Sequence, residues 1–169
     1  MMTDYGYVRL STPLGSMVLA SDGSALCGAW FVGQKYFPVM EGWREGEDRV
    51  LEKAASELER YFSGELRRFT VSLRPRGTDF QRRVWAGIAE IAYGHTARYG
   101  ELAARLNSAP RAAGAATGRN PVSVFIPCHR VVGHGAATGA PLSERALTGY
   151  AGGLDRKKAL LNLEGVEVR

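Results

Sequence analysis

Pro127-Cys128-His129-Arg130 places a thiol beside two groups that can carry positive charge. The thiolate is the nucleophilic form of cysteine, and nearby cations lower the pKa of a thiol. His129 and Arg130 are candidates for that effect. The tetrapeptide therefore indicates a reactive cysteine at Cys128.

The apolar run Val122–Ile126 leads directly into this motif and predicts a buried strand. We therefore expect the Cys128 thiol at the edge of a strand. A buried, inert thiol is the simpler interpretation of a lone cysteine, and it suits Cys27, which lies inside a predicted strand.

Just upstream, residues 99–119 predict two short helices joined by a tight turn. A helix over Tyr99–Leu106, the turn Asn107–Pro110 and a helix over Arg111–Arg119 form the outline of a helix-turn-helix. The second helix is unusual because almost all its side chains are small and an arginine stands at each end. Such a helix either packs closely against a neighbour or enters the DNA minor groove, which is about 6 Å wide.

The remaining elements divide the chain into an α/β first part and a helical second part. The capping box Thr78-Asp79-Phe80-Gln81 opens the helical part. The first part predicts strands over Tyr5–Ser11, Met17–Ala20 and Leu26–Val32, a loop over Lys35–Gly46, a helix over Glu47–Phe62, a strand over Phe69–Leu73 and a linker over Arg74–Gly77.

Composition and charge narrow the class of protein. The 169 residues are 45% apolar and 23% charged, which is typical of a globular chain. Of the 22 basic residues 18 are Arg, and net charge is −1 over residues 1–79 but +6 over residues 80–169. A basic, Arg-rich second half indicates a polyanionic partner, most simply nucleic acid.

Several classes are disfavoured. No run of eighteen apolar residues is present, so we expect no membrane span, and the beginning of the chain does not resemble a signal peptide. Two cysteines favour a reducing cytoplasm over a disulfide framework. The three histidines lack metal-ligand spacing, so we expect no metal and no cofactor.

The Pro127–Arg130 motif resembles the active-site signature of the O6-alkylguanine-DNA alkyltransferases, also called methylated-DNA–protein-cysteine methyltransferases. Other motifs at compatible spacing across residues 76–169 are similar to the same family: Arg76–Trp85, Tyr93-Gly94, Arg98–Ala103, Arg111–Gly114, Asn120-Pro121, Thr148–Leu154, Lys157–Leu161 and Leu163–Gly165. Upstream, Thr12–Gly15 and Tyr61–Gly64 also resemble it.

This resemblance implies an α+β fold of two domains. Residues 1–75 would form a small, structural α/β domain of ribonuclease-H-like type. Residues 76–169 would form a helical, winged-helix-like domain with a helix-turn-helix that binds DNA and carries the catalytic residues.

The resemblance also implies the reaction. Such proteins flip O6-alkylguanine, and less often O4-alkylthymine, out of duplex DNA and move the alkyl group irreversibly to their own cysteine. Cys128 would be the nucleophile and His129 the base, acting through a water. Glu164 would orient His129, and Asn120 would tie the recognition helix to the active-site turn.

The DNA-binding positions follow from the same resemblance. Arg111 would fill the gap left by the flipped base, and Tyr99 would crowd the 3′ phosphate. The Val131 carbonyl would accept from the base, while Tyr150 and Ala151 would close the guanine pocket. The recognition helix would add Ala112, Gly114, Thr117 and Arg119.

Two departures from the family pattern stand out. The turn before Arg111 is about two residues shorter than in most relatives. The loop Gly133–Leu147 carries about seven to nine extra residues, which could add a DNA contact through Arg145, widen the pocket or form a disordered excursion. We predict the disordered excursion.

Three alternatives remain at this point: a non-catalytic alkyltransferase-like protein that binds damaged DNA, a cysteine hydrolase using Cys128, His129 and Glu164, and a transcriptional helix-turn-helix protein. The presence of Cys128 disfavours the first. The sequence shows no oxyanion motif for the second, and the small helix suits the third poorly. The expected partner is duplex DNA containing O6-alkylguanine, bound by a monomer at the nucleoid; cooperative binding along DNA is left open.

Overall fold

Contacts between Cα atoms divide the chain into two units. The computed structural model describes residues 4–133 and 141–169. The first unit comprises Met1–Arg76 and Pro121–Phe125, and the second comprises Gly77–Asn120 and Ile126–Arg169.

A four-stranded sheet forms the centre of the first unit. Strands β1 (Gly6–Thr12), β2 (Gly15–Ser21) and β3 (Leu26–Phe31) pair antiparallel in sequence order, and the short β4 (Arg44–Glu45) runs parallel to β1. The residues of β3 and the last five of β2 are buried, so both faces of these strands are covered. The three long strands confirm the sequence prediction.

One amphipathic helix, α1 (Arg49–Phe62), contacts this sheet. The Asp48 carboxylate caps it by accepting from the Leu51 amide at 2.8 Å. Leu51, Leu58 and Tyr61 are at most 1% exposed, and burying each such side chain stabilises the fold by about 1.5–3 kcal/mol.

The predicted strand over Phe69–Leu73 is wrong. Only Leu73 makes a β-bridge, to Leu26. The amides of Thr70 and Val71 instead donate to the buried Glu57 carboxylate at 2.9–3.1 Å. A side chain of α1 therefore provides the acceptors that a neighbouring strand would otherwise supply.

The second unit begins with the predicted capping box. In α2 (Asp79–Ala89) the Thr78 hydroxyl accepts from the Gln81 amide, and the Gln81 side chain accepts from the Thr78 amide. Trp85 on this helix donates from Nε1 to the Ala116 carbonyl at 2.8 Å, which joins α2 to the slim helix predicted from the sequence.

That slim helix is α4 (Pro110–Gly118), and it follows α3 (Tyr99–Arg105) in a helix-turn-helix. Asn107 ends α3 in the left-handed region, at φ 53°. The amides of Asn107 and Ser108 donate to the Ala104 and Ala103 carbonyls at 3.2 and 2.9 Å, which is the Schellman arrangement. Pro110 has no amide hydrogen, but the first position of a helix has no intrahelical acceptor for one. Pro110 can therefore begin α4 directly after this short connection.

The predicted strand over Val122–Ile126 is also wrong. Val122 forms one parallel β-bridge with Ala29 of β3, and the Ser123 amide donates to the Ala29 carbonyl. The chain then turns at Val124. The φ of Val124 is 74°, a conformation that a strand does not contain. The run is apolar because its residues are buried in a turn, not because they extend.

Two short strands and a last helix complete the second unit. Strands β5 (Ala97–Arg98) and β6 (Val131–Val132) pair in parallel, and α5 (Leu154–Leu163) contacts the turn between Cys128 and Arg130. Among the described residues, no helix is long and apolar enough to cross a membrane. The α+β prediction is confirmed.

The disorder predicted for Gly133–Leu147 is wrong for its last part. Leu142 exchanges backbone hydrogen bonds with Glu167 and Arg169 at 2.8 and 2.7 Å, and its side chain packs in a buried cluster with Val168. Residues 144–146 form one 3-10 turn. Residues 134–140 of the predicted excursion lie outside the described residues.

Candidate active site

Cys128 begins a one-turn 3-10 helix, Cys128–Arg130, rather than standing at a strand edge. Its amide donates to the Ile126 carbonyl at 2.8 Å, and the side-chain amide of Asn120 donates to the same oxygen at 2.8 Å. Asn120 comes immediately after Arg119, the C-cap residue of α4. It therefore connects the end of that helix to the turn that carries the thiol.

The Cys128 thiol is neutral at neutral pH. The residue is 5% exposed, and burial raises the pKa of its thiol above 9.0. A hydrogen bond from the Asn120 side chain and the positive charge of Lys157 act in the opposite direction without reversing this rise. Because burial disfavours the charged form, a base must take the proton before the sulfur can act as a thiolate.

The two residues that follow Cys128 belong to a buried network. His129 Nε2 lies 2.8 Å from Glu164 Oε2, and Arg130 donates to both Glu164 oxygens at 2.7 and 3.0 Å. Arg130 also donates to the Ile91 carbonyl at 2.6 Å and lies over the Tyr93 ring. Glu164 caps the end of α5, so the helix positions the carboxylate.

This network determines which nitrogen of His129 can act as a base. Burial lowers the pKa of His129 below 6.5, against the opposing effect of Glu164, so the ring is neutral at neutral pH. The Glu164 carboxylate, which is paired with Arg130, can accept hydrogen bonds but cannot donate them. The Nε2 atom of His129 therefore carries the ring proton. Nδ1 is then a buried lone pair, and it has no hydrogen-bond partner among the described residues.

Arg130 does not act as the sequence suggested. We expected it to lower the pKa of the neighbouring thiol, but its guanidinium is bound by Glu164 and Ile91. The positive charge that lowers the pKa of Cys128 belongs to Lys157.

Lys157 is the residue that sequence reasoning missed. It is 0% exposed, and its Nζ donates to the carbonyls of Val131, Thr148 and Gly149 at 2.7, 3.0 and 3.4 Å. The only signal was its place in the Lys157–Leu161 motif, where an adjacent lysine makes it look like part of a solvated helix face.

Tyr99, at the start of α3, shares two of these acceptors. Its hydroxyl donates to the Thr148 and Gly149 carbonyls at 2.9 and 3.3 Å, and Lys157 Nζ lies 5.8 Å from its ring centre. Burial, followed by the negative charge of an ionised Cys128, raises the pKa of Tyr99 to about 12. The hydroxyl is therefore a permanent donor at neutral pH.

The remaining predicted pocket residues are partly covered. Tyr150 and Ala151 are half-buried in the turn that leads into α5. Val131, in β6, is 0% exposed and offers its carbonyl to Lys157.

Helix α4 has a buried face and an exposed one. Ala113 and Ala116 are at most 4% exposed, whereas Arg111, Ala112 and Arg119 are exposed. Close packing against a neighbour therefore describes the buried face of this helix, and only the exposed face could enter a DNA groove. The bare Cα of Gly114 faces Tyr99, where an added Cβ would lie 3.8 Å from the ring.

Thr117 does not belong to the exposed face. It is 4% exposed, and its hydroxyl donates to the Ala113 carbonyl at 2.7 Å. A hydroxyl that points back at the preceding turn is covered by its own helix, so the Thr117 side chain is buried where the sequence predicted an exposed DNA contact.

The site thus combines a nucleophile, a neutral base held by a carboxylate, and a buried cation. An arginine-bearing helix surface connects to it through Gly114 and Tyr99. In this arrangement the buried sulfur can be alkylated or acylated, and the arginine-bearing surface can bind a polyanion.

Two family models match the chain. The DNA-binding domain of 6-O-methylguanine DNA methyltransferase matches residues 79–166, and the ribonuclease-like domain of the same proteins matches residues 5–75. The chain belongs to the 6-O-methylguanine DNA methyltransferase family. The resemblance stated from the sequence is confirmed.

Individual relatives agree with this membership. A methylated-DNA–protein-cysteine methyltransferase of Methanosarcina acetivorans is 44% identical over 162 residues, which cover 94% of this chain and 97% of that protein. The protein of the same name from Haemophilus influenzae is 39% identical, covering 98% and 89%. The crystal structure of Mycobacterium tuberculosis OGT in complex with DNA is similar with a TM-score of 0.83 and 42% identity, covering 95% and 93%.

Proposed function

We propose that this protein repairs duplex DNA by moving the alkyl group of O6-alkylguanine to its own Cys128, once per molecule. The observation that carries the proposal is the buried Cys128 thiol beside a histidine whose Nδ1 is held as a free base by Glu164. O4-alkylthymine is the lesser substrate. Family membership and the DNA-bound relative support DNA as the partner.

The reaction balances without a cofactor. The proton of the Cys128 thiol passes to His129 Nδ1 through a water. The sulfur then forms a bond to the alkyl carbon, while the bond from that carbon to O6 breaks and its electron pair stays on the guanine. The guanine takes up one proton at N1, so the thiol proton in effect replaces the alkyl group. The S-alkylcysteine has no route back, which makes the transfer single-turnover.

The exposed face of α4 is the DNA-binding surface in this proposal. Arg111 fills the space left by the flipped base, while Ala112 and Gly114 let the helix approach the minor groove and Arg119 contacts the backbone. Tyr99 crowds the neighbouring phosphate. The loop with Tyr150 and Ala151 closes over the guanine, and the Val131 carbonyl accepts from its amine.

We assign the chemistry to residues 76–169 and a structural role to residues 1–75. The protein acts as a monomer, in the cytoplasm at the nucleoid. Asn120 holds the reactive turn to α4, so that the base-flipping helix and the nucleophile keep their relative positions.

Intact mass spectrometry tests the proposal. The protein is mixed with excess duplex that carries one O6-methylguanine. We expect one added methyl group, a gain of about 14 Da on the sulfur nucleophile, which peptide mapping places on Cys128. The matched control is Cys27→Ser, which removes the other buried cysteine and keeps the gain, whereas Cys128→Ser abolishes it.

Each alternative gives a different result. An unchanged mass would refute the transfer; preferential binding of the damaged duplex would then indicate the non-catalytic relative. A cysteine hydrolase would turn over an acyl substrate repeatedly and would leave the methylated base intact.

A further inference from the structure

The Tyr93-Gly94 motif lies in the turn that follows α2, residues 91–94. The Ile91 amide still donates back to the Ile88 carbonyl at 3.0 Å, and Gly94 then takes the left-handed φ of 79°, which favours glycine. The turn therefore depends on a glycine at its last position. None of the steps of the proposed reaction uses this motif.

The Tyr93 side chain binds the end of α5. Its hydroxyl donates to the Leu163 carbonyl at 3.2 Å. Leu163 is the last residue of this helix and Glu164 is its C-cap, and the carbonyls in the last turn of a helix lack intrahelical partners. The Glu164 carbonyl also lies close to Gly94, 3.4 Å from the position that a Cβ would take there. The 91–94 turn thus contacts the peptide groups on both sides of the Glu164 Cα.

The same turn binds Arg130, the other member of the buried ion pair. The Ile91 carbonyl accepts from the Arg130 guanidinium at 2.6 Å, and that guanidinium lies 5.8 Å from the centre of the Tyr93 ring. A cation over an aromatic face is attracted by the ring, and more strongly where water is excluded. Arg130 is 6% exposed. The turn therefore contacts both Arg130 and the backbone of Glu164.

These contacts reach His129 through the Glu164 carboxylate. His129 Nε2 lies 2.8 Å from Glu164 Oε2, while the other oxygen accepts from Arg130 at 2.7 Å. A catalytic side chain keeps its orientation only when the groups that bind it are themselves held in place. The direction of the His129 Nδ1 lone pair therefore depends on how firmly the turn holds Glu164, and a misplacement of about 1 Å can cost about 10²-fold in rate.

We propose that Tyr93 is a further positioning residue of the alkyl transfer, which holds Glu164 through the end of α5 and Arg130 through its ring, and so fixes the orientation of His129. Tyr93 acts through these residues and not on the reacting atoms. The inference rests on the proposed function for its reaction, but one of its two tests uses no DNA.

Two substitutions separate the hydroxyl from the ring. Tyr93→Phe removes the hydrogen bond to Leu163 and keeps the ring, and Tyr93→Leu removes both. The matched control is Asn162→Ala, because Asn162 also makes a hydrogen bond at the end of α5, but to the Val168 amide at 3.3 Å. Thermal unfolding gives the temperature range in which each variant is folded, and all rates are compared within it.

The first test measures single-turnover transfer against the concentration of methylated duplex, which separates binding from chemistry. In Tyr93→Phe we expect the rate at saturating duplex to fall about fivefold, the effect of one lost hydrogen bond, and in Tyr93→Leu about 10²-fold. The half-saturating concentration should stay unchanged, because Tyr93 does not lie on α4. A parental rate in Tyr93→Phe, or an equal fall in Asn162→Ala, would overturn the proposal.

The second test reads His129 directly and uses no DNA. In protein labelled with 15N-histidine, the NMR shifts of the two ring nitrogens show which of them carries the proton, and His129→Gln identifies the signals of that ring. We expect the proton on Nε2 in the parent and in Asn162→Ala. In both Tyr93 variants this proton should exchange faster with water, and in Tyr93→Leu the other tautomer should also be populated.

The two tests fail for different reasons. Tyr93 variants whose His129 signals match those of the parent would overturn the positioning role, even if they transferred alkyl groups slowly. A parent that transfers no methyl group would refute the proposed function alone, because the NMR comparison does not depend on the reaction.

Discussion

Glu164→Gln is the perturbation that tests the buried network most directly. Glu164 accepts one hydrogen bond from His129 and two from Arg130, and its side chain is fully buried. The amide keeps the size of the carboxylate but has one acceptor oxygen and no charge. It therefore leaves the Arg130 guanidinium buried and without its counter-charge.

Removing one partner of a buried ion pair destabilises a protein by about 3–5 kcal/mol. The total stability of a domain is about 5–15 kcal/mol, so we expect a folded but clearly weakened variant. The transfer rate should also fall, by about 10²–10⁴-fold, because the amide no longer requires Nε2 to carry the ring proton. His129 Nδ1 is then not held as a base.

Urea unfolding and single-turnover transfer at a temperature where the variant is folded measure the two effects. The matched control is Glu167→Gln. Glu167 accepts from Arg169 at 2.7 Å on the surface, where such a pair contributes about 0–1 kcal/mol. If Glu164→Gln lost no more stability than this control and kept its rate, Glu164 would not be the group that holds both His129 and Arg130.

Three further predictions follow from individual contacts. Arg111→Ala should weaken binding of the damaged duplex, because the space left by the flipped base is no longer filled, while unfolding stability changes by less than about 0.5 kcal/mol, because Arg111 is exposed; unchanged binding of the damaged duplex would contradict this. Burial lowers the pKa of His129, so the neutral ring contributes fully to the free energy of unfolding above pH 6.5, and this contribution is lost as the pH falls through the pKa of the folded protein. Urea unfolding of His129→Gln should therefore depend less on pH in that range. Leu142→Ala should cost about 2–5 kcal/mol in thermal or urea unfolding, because Leu142 is 3% exposed against Val168; a loss near zero would show that this loop segment is not packed.

The elements with a strong periodic pattern could be predicted from the sequence. The three long strands, α1, the capping box of α2 and the small-residue helix α4 carry their own signals in the spacing of apolar residues and in their caps. The predicted strands over 69–73 and 122–126 were wrong because the pattern of apolar residues does not determine what the backbone pairs with. The alternating segment 69–73 has its backbone amides bound by Glu57, and the apolar run 122–126 bends at Val124.

The sequence alone determined the reactive motif, the basic charge of the second half and the family to which the chain belongs, because residue types at fixed spacing identify these features. Only the tertiary structure decided which charge faces which group. Arg130 is adjacent to Cys128 in sequence but is bound by Glu164, whereas Lys157 is 29 positions away and acts on the sulfur. Electrostatic effects depend on distance in space and on burial, and neither can be obtained from the order of residues.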